Sequence, residues 1–187
     1  HPGGMGLEGW EAVDRTVELL AAARKNNIPV IHVTKLDRDN AVGWAKRIKR
    51  QKQVKSMEDK MPEELKRRSA EIVAELAPLE HELVIRKAAP SAFNGTILPY
   101  MLQMWGIDTL IACGESTSGC VRATVVDGAT HSFHMGVVEE CTFDRTEMSH
   151  WVNLFDMHSK YADVIKLAEA VAYFEEVGIK TKSAAIV

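Results

Sequence analysis

The chain has 187 residues, of which 46% are hydrophobic and 26% charged, one domain's worth of ordinary globular composition that excludes a disordered, collagenous or low-complexity protein. A formal charge of −3 provides no overall field to collect nucleic acid, and the longest apolar runs fall far short of the ~20 residues of a membrane helix. Cys113, Cys120 and Cys141 show neither CxxC nor zinc spacing, and the N-terminus lacks a basic-then-apolar signal pattern, so the chain reads as soluble and cytoplasmic.

Trp10, Val13, Val17 and Leu20 recur at helical spacing and predict a helix from Glu8 to Asn26. Ile28–Thr34 is then a nearly continuous apolar run and reads as a buried strand. Within the polar stretch Lys35–Lys60, a basic run of Lys46, Arg47, Lys49, Arg50, Lys52 and Lys55 reads as a solvated face, with phosphate contact as the alternative. Pro62, Glu63 and Glu64 suit the first turn of a helix whose apolar face is Leu65, Ile72, Val73 and Leu76. Glu82–Arg86 is the next strand, followed by a helix over Thr96–Trp105 closed by Gly106 and a buried strand at Asp108–Cys113. Ser118–His131 reads as a helix, Met135–Glu139 as a strand, and Tyr161–Val177 as a final amphipathic helix on Val164, Ala168 and Val171.

Strands and helices therefore alternate, and the strands are apolar on both faces. This pattern predicts an α/β fold, a three-layer αβα sandwich around a mostly parallel sheet, as a single domain over residues 1–187. Such sheets hold ligands beyond the carboxyl ends of their strands, which selects the segments after Thr34, Arg86, Cys113 and Glu139.

The sharpest chemical feature is Cys120, on the expected first turn of a helix at that edge. Orphan N–H groups and the positive end of the helix dipole favour a thiolate and can receive an oxyanion; a small buried residue packed where a helix meets the sheet is the structural alternative. Lys87 stands at the preceding strand end, as a solvated cap or as a charged partner for the sulfur. Ser116 and Thr117 suit helix capping.

Three ordered segments carry a family resemblance: Cys-Gly-Glu-Ser-Thr-Ser-Gly-Cys-Val-Arg-Ala-Thr at 113–124, Lys87 with Pro-Ser-Ala-Phe-Asn-Gly-Thr at 90–96, and Asn-Leu-Phe-Asp-Met with Lys-Tyr-Ala-Asp-Val within 153–164. Together they resemble the isochorismatase-like cysteine hydrolases, a Rossmann-like fold, and within them the N-carbamoylsarcosine and maleamate amidohydrolase branch. The resemblance implies that Cys120 attacks an amide or ureido carbonyl, ammonia leaves, and water hydrolyses the thioester. It implies Lys87 as the charged partner, and a cis peptide between Glu115 and Ser116 that brings the Ser116 and Cys120 N–H groups together as the oxyanion hole. It also implies a carboxylate-bearing substrate held by Arg145, whose fork of donors suits that task, with an internal ion pair to Asp144 as the alternative. Thr117 is implied as a further substrate contact, and Phe93 as a pocket wall or plain core.

Two departures stand out. The family's catalytic aspartate closes a first strand upstream of the helix that begins near Glu8, and no such strand is present in this sequence; Asp37 and Asp39 match no catalytic position. The expectation is therefore a sheet lacking its first strand, with the base supplied from outside this sequence. Asn94 stands where relatives commonly carry an aromatic. A non-catalytic or regulatory relative that lost the base is the rival reading. Neither a metal nor a nucleotide cofactor is expected: His32, His81, His131, His134, His150 and His158 are scattered, and there is no P-loop or GxGxxG. The partners expected are a small amide or ureido substrate and, by family analogy, further copies of the chain in a homo-oligomer, reached through Lys35–Lys60 with Trp44; nucleic acid and membrane are not expected.

Overall fold

The computed structural model describes residues 6–36 and 62–184. The basic run Lys46–Lys55, Asp37, Asp39 and Trp44 lie outside the described residues.

The first helix, α1, spans Gly6–Lys25. Its inward face is Gly9, Ala12, Leu19, Leu20 and Ala23, while Trp10 and Val17 of the expected stripe are exposed. Small residues at three of these positions let the helix backbone approach the sheet closely, which outweighs the larger apolar side chains on the other side. The helix ends with Asn27 in the left-handed region at φ 57° and the Ile28 N–H donating to the Ala23 carbonyl at 2.9 Å.

Strand β1, Ile31–Lys35, pairs in parallel with β2, Leu83–Lys87, from Ile31 opposite Leu83 to Lys35 opposite Lys87. Between them the helix expected to run to Leu76 stops early: α2 covers Glu63–Arg68, and a 3₁₀ turn covers Ala74–Leu76. The interruption has a cause in β1, because the Thr34 hydroxyl donates to the Ala70 carbonyl at 2.7 Å and Lys35 Nζ reaches Ser69 at 2.6 Å. These bonds draw the chain across the strand end.

Helix α3, Leu98–Met104, is closed by Gly106 at φ 64°, a conformation open to glycine at little cost. Then follow β3 (Thr109–Glu115), a π-helical turn (Thr117–Val121), α4 (Arg122–Thr130), β4 (His134–Phe143), α5 (Glu147–Lys160), β5 (Asp163–Ile165) and α6 (Leu167–Ala184). Helix α5 was not anticipated, and the expected helix from Tyr161 is a short strand followed by a helix that starts at Leu167.

Strands β3, β4 and β5 form a second parallel sheet in that order. Neighbouring residues on β4 point to opposite faces and separate the layers. Val138 packs with Leu19 and Ala23 of α1 and with Ala170 and Phe174 of α6, whereas Val137 packs with Val125 of α4 and with Leu154 and Met157 of α5. Helices thus cover both faces of a parallel sheet, as the pattern of apolar strands requires. Among the described residues β1 and β3 each pair along one edge only, and no strand precedes α1.

Candidate active site

At the carboxyl end of β2 the chain folds back over Lys87. The ammonium donates to the carbonyls of Ala89 at 3.1 Å and Pro90 at 2.8 Å, and its third contact is Cys120 Sγ at 3.2 Å. All three N–H donors are thereby occupied and the charge is fixed against the sulfur.

Strand β3 leads to Cys120 through a cis Glu115–Ser116 peptide, as the resemblance implies, but the following residues form a π turn rather than the expected first turn of an α-helix. The Ser116 carbonyl accepts the Val121 N–H at 3.2 Å, the i to i−5 closure of such a turn, and the Gly119 N–H at 2.9 Å. A Cβ at 119 would stand 2.5 Å from Ser116 Oγ, so a larger residue there requires the serine side chain to turn away. The Thr124 hydroxyl donates to the Cys120 carbonyl at 2.8 Å and accepts the Ala92 N–H at 3.0 Å, tying the loop after β2 to the turn that carries the sulfur. Cys120 is half-buried.

The segment after β4 closes on the same turn. Asp144 Oδ2 accepts the Ser118 N–H at 2.6 Å and Oδ1 accepts the Arg145 N–H at 2.8 Å. Desolvation pushes the Asp144 carboxyl up, but the Ser118 and Arg145 donations and the nearby guanidinium outweigh it and hold it below the ordinary range. The carboxylate is thus turned to backbone donors, and the Arg145 side chain is exposed beside the turn. Thr117 is fully buried, with Oγ1 2.8 Å from Nδ1 of His150 on α5. Desolvation lowers the His150 pKa, against the opposing charges of Glu139, Asp144 and Glu147. Phe93 lies apart, in a core cluster with Ile85, Leu98 and Leu102, and stacks on His131 at 5.4 Å.

The structure therefore brings Lys87, Ser116, Thr117, Cys120 and Arg145 to one edge, and places Phe93 among core residues. His150, Thr124 and Asp144 also grip the turn. Sequence reading passed over them as site residues because their partners lie across space, on other elements. Among the described residues no three His, Cys, Asp or Glu side chains gather as a metal site needs. A cleft of about 460 Å³, lined in part by Val30, Leu83, Glu82 and Trp105, lies at the amino ends of β1 and β2, away from Cys120.

A half-buried sulfur in contact with an ammonium is an arrangement for nucleophilic attack. The family model described as the isochorismatase domain matches residues 8–169. The chain belongs to the isochorismatase family. Among curated family relatives, the maleamate amidohydrolase of Pseudomonas putida is 45% identical over 96 residues, covering 51% of this chain and 45% of the relative. The N-carbamoylsarcosine amidase of an Arthrobacter species is 37% identical over 120 residues, covering 61% of this chain and 46% of the relative. The chain thus spans about half the length of the curated relatives it matches. Among solved structures, the N-carbamoylsarcosine amidase of Thermoplasma acidophilum superposes with a TM-score of 0.67 at 22% identity, over 86% of this chain and 84% of that one. A cysteine hydrolase of Pseudomonas syringae pv. phaseolicola gives a TM-score of 0.76 at 19% identity, over 90% and 82%. These two likenesses establish the isochorismatase fold. Within it, an Arg122–Asp156 ion pair at 3.1 Å joins the segment that carries Cys120 to the Asn-Leu-Phe-Asp segment.

Proposed function

We propose that the protein is a cysteine-dependent amidohydrolase that releases ammonia from a small carboxylate-bearing amide or ureido compound. The observation that carries this reading is the 3.2 Å contact between Lys87 Nζ and Cys120 Sγ. An ammonium at that distance stabilises a sulfur anion by direct charge attraction. The thiolate adds to the carbonyl carbon, and the oxygen that becomes negative is received by the Ser116 and Cys120 N–H groups. As the C–N bond breaks, the proton that left the thiol ends on the departing nitrogen, and ammonia leaves a thioester. Water then adds to the thioester carbonyl, the C–S bond breaks, and the acid and the thiol are regenerated.

Arg145, exposed beside the turn, supplies the fork for the substrate carboxylate, while Thr117, expected as a substrate contact, is fully buried and has its hydroxyl on His150 instead. Support for the substrate class comes from the maleamate and N-carbamoylsarcosine relatives. No metal or nucleotide takes part in the proposed reaction.

One observation favours a second reading, a non-catalytic relative. Among the described residues no carboxylate contacts Cys120 or Lys87, whose donors end on Ala89, Pro90 and Cys120. Ammonia release separates the two. The full-length protein, given maleamate or N-carbamoylsarcosine, is expected to release ammonia, Cys120→Ala to release none above background, and Lys87→Met to lose at least a hundredfold in kcat/KM. No ammonia from either compound, or from a panel of carboxylate-bearing amides, would establish the non-catalytic reading instead.

A further inference from the structure

Helix α5 meets the turn that carries Cys120 through the part-buried 2.8 Å bond between His150 Nδ1 and Thr117 Oγ1. Thr117 opens the π turn and has no exposed surface, so its hydroxyl has no water to fall back on. Trp151 packs edge-on against the imidazole with centroids 5.0 Å apart, and Thr146 caps the start of α5 by accepting the Ser149 N–H at 3.3 Å. Trp151 is itself tethered by its indole N–H to Glu147 at 3.3 Å. One residue along the turn, Ser118 is held by Asp144. Two adjacent residues of the turn are therefore fixed by one segment, 144–150, which also carries Arg145.

We propose that His150 is a positioning residue: through the Thr117 hydroxyl it locks the π turn in the register that sets the Cys120 sulfur against the Lys87 ammonium. A loose Thr117 lets the turn relax toward an ordinary α-helical closure, and moving the turn's closure by one residue swings the position that carries the sulfur. The surroundings disfavour the charged imidazole, so the contact is made by a neutral ring, with Nδ1 as donor or acceptor according to tautomer. An asparagine amide reaches the place of Nδ1 and can fill either role; a phenylalanine keeps the ring and loses the bond.

The inference rests on Cys120 as nucleophile and not on any particular substrate, so the decisive measurement is the rate at which iodoacetamide alkylates Cys120, followed by peptide mass spectrometry. His150→Phe and Thr117→Val are each expected to slow alkylation at least tenfold, His150→Asn to recover to within about threefold of the parent, and His150→Phe with Thr117→Val to be no slower than the slower single variant. Where turnover is measurable, kcat falls and KM holds. The proposal is overturned if His150→Asn labels no faster than His150→Phe, if the two single effects multiply, or if His150→Phe labels at the parent rate. Should His150→Phe fail to fold, Thr117→Val against His150→Asn decides the matter by the same rates. An amide assay that fails while these rates behave as expected counts against the amidohydrolase reading and leaves the positioning role standing.

Discussion

Among the described residues, only Cys120 of the three thiols touches a cation. Cys113 is exposed, yet desolvation by the protein around it pushes its thiol up to about 11, and Cys141, fully buried, is pushed up to about 12 by desolvation and by the neighbouring Cys113. Both are protonated at pH 7.5, and the thiol form is a poor nucleophile. Iodoacetamide at that pH is therefore expected to modify Cys120 first, with Cys113 and Cys141 lagging until the solution approaches pH 10. Equal, slow modification of all three would show that the Lys87 contact does not activate the sulfur. The sequence made Cys120 and Lys87 legible because Lys87 closes a strand and Cys120 lies on the turn that follows one, and a parallel sheet sends such segments to one edge. His150 was not legible. Its meaning depends on Thr117 lying within reach across two elements, and histidine at the first turn of a helix has no spacing that distinguishes a structural ring from one that grips a loop.

At the scale of elements, Gly178 shows how packing overrides propensity. Alanine in a helix interior is ordinarily favoured over glycine by about 0.5–1 kcal/mol. In α6, however, a Cβ at 178 would stand 2.8 Å from the Asn26 carbonyl oxygen and 2.9 Å from Asn26 Cβ. Asn26 is buried and its amide is bonded to the Ala22 carbonyl, so it cannot yield, and overpacking of this kind costs about 1–3 kcal/mol. Gly178→Ala is expected to lower the urea midpoint despite the better helix former, and a raised midpoint would show that α6 shifts freely on α1. The same competition explains which elements were readable. The strand before Cys113 and the helix closed by Gly106 were, since apolar runs and a terminal glycine signal themselves locally. Helix α5 was not, because Met148, Trp151, Val152 and Phe155 are exposed while Leu154 and Met157 are buried, so apolar residues surround the helix and blur its face. Strand β5 was absorbed into the following helix because Val164, Ala168 and Val171 satisfy a helical period across the boundary. The π turn escaped because its mark is the Val121 to Ser116 bond, and composition does not choose between closures of four and five residues.

For the whole molecule, alternating strands and helices were enough to give a parallel sheet with helices on both faces, but not the means by which its two parts hold together. One answer is Glu82, at the start of β2. Its buried carboxylate receives Arg24 from α1 at 2.8 Å on each oxygen, His32 Nε2 from β1 at 2.8 Å and the Leu79 N–H at 2.8 Å, while Arg24 also donates to the Ala77 carbonyl at 2.9 Å. Helix α1 packs on β4 of the three-stranded sheet, so this cluster fastens β1 and β2 to the rest. The hydrogen bond from Arg24 overcomes the desolvation of the carboxylate, and with the Leu79 and His32 contacts it holds the Glu82 pKa far below the ordinary carboxylate range. A pKa depressed on folding contributes stability that is complete above the unfolded value of about 4.3 and drains away as the pH falls toward the folded one. Glu82→Gln removes the charge and leaves Arg24, about a quarter exposed, without its counter-ion; loss of one member of such a pair costs about 3 kcal/mol, or about 6–12 °C in Tm for a chain of this size. Thermal melts of parent and variant are therefore expected to differ most at pH 7 and to converge as the pH drops below 4. Parallel curves over that range would mean that Glu82 is not where the acid sensitivity of the fold resides.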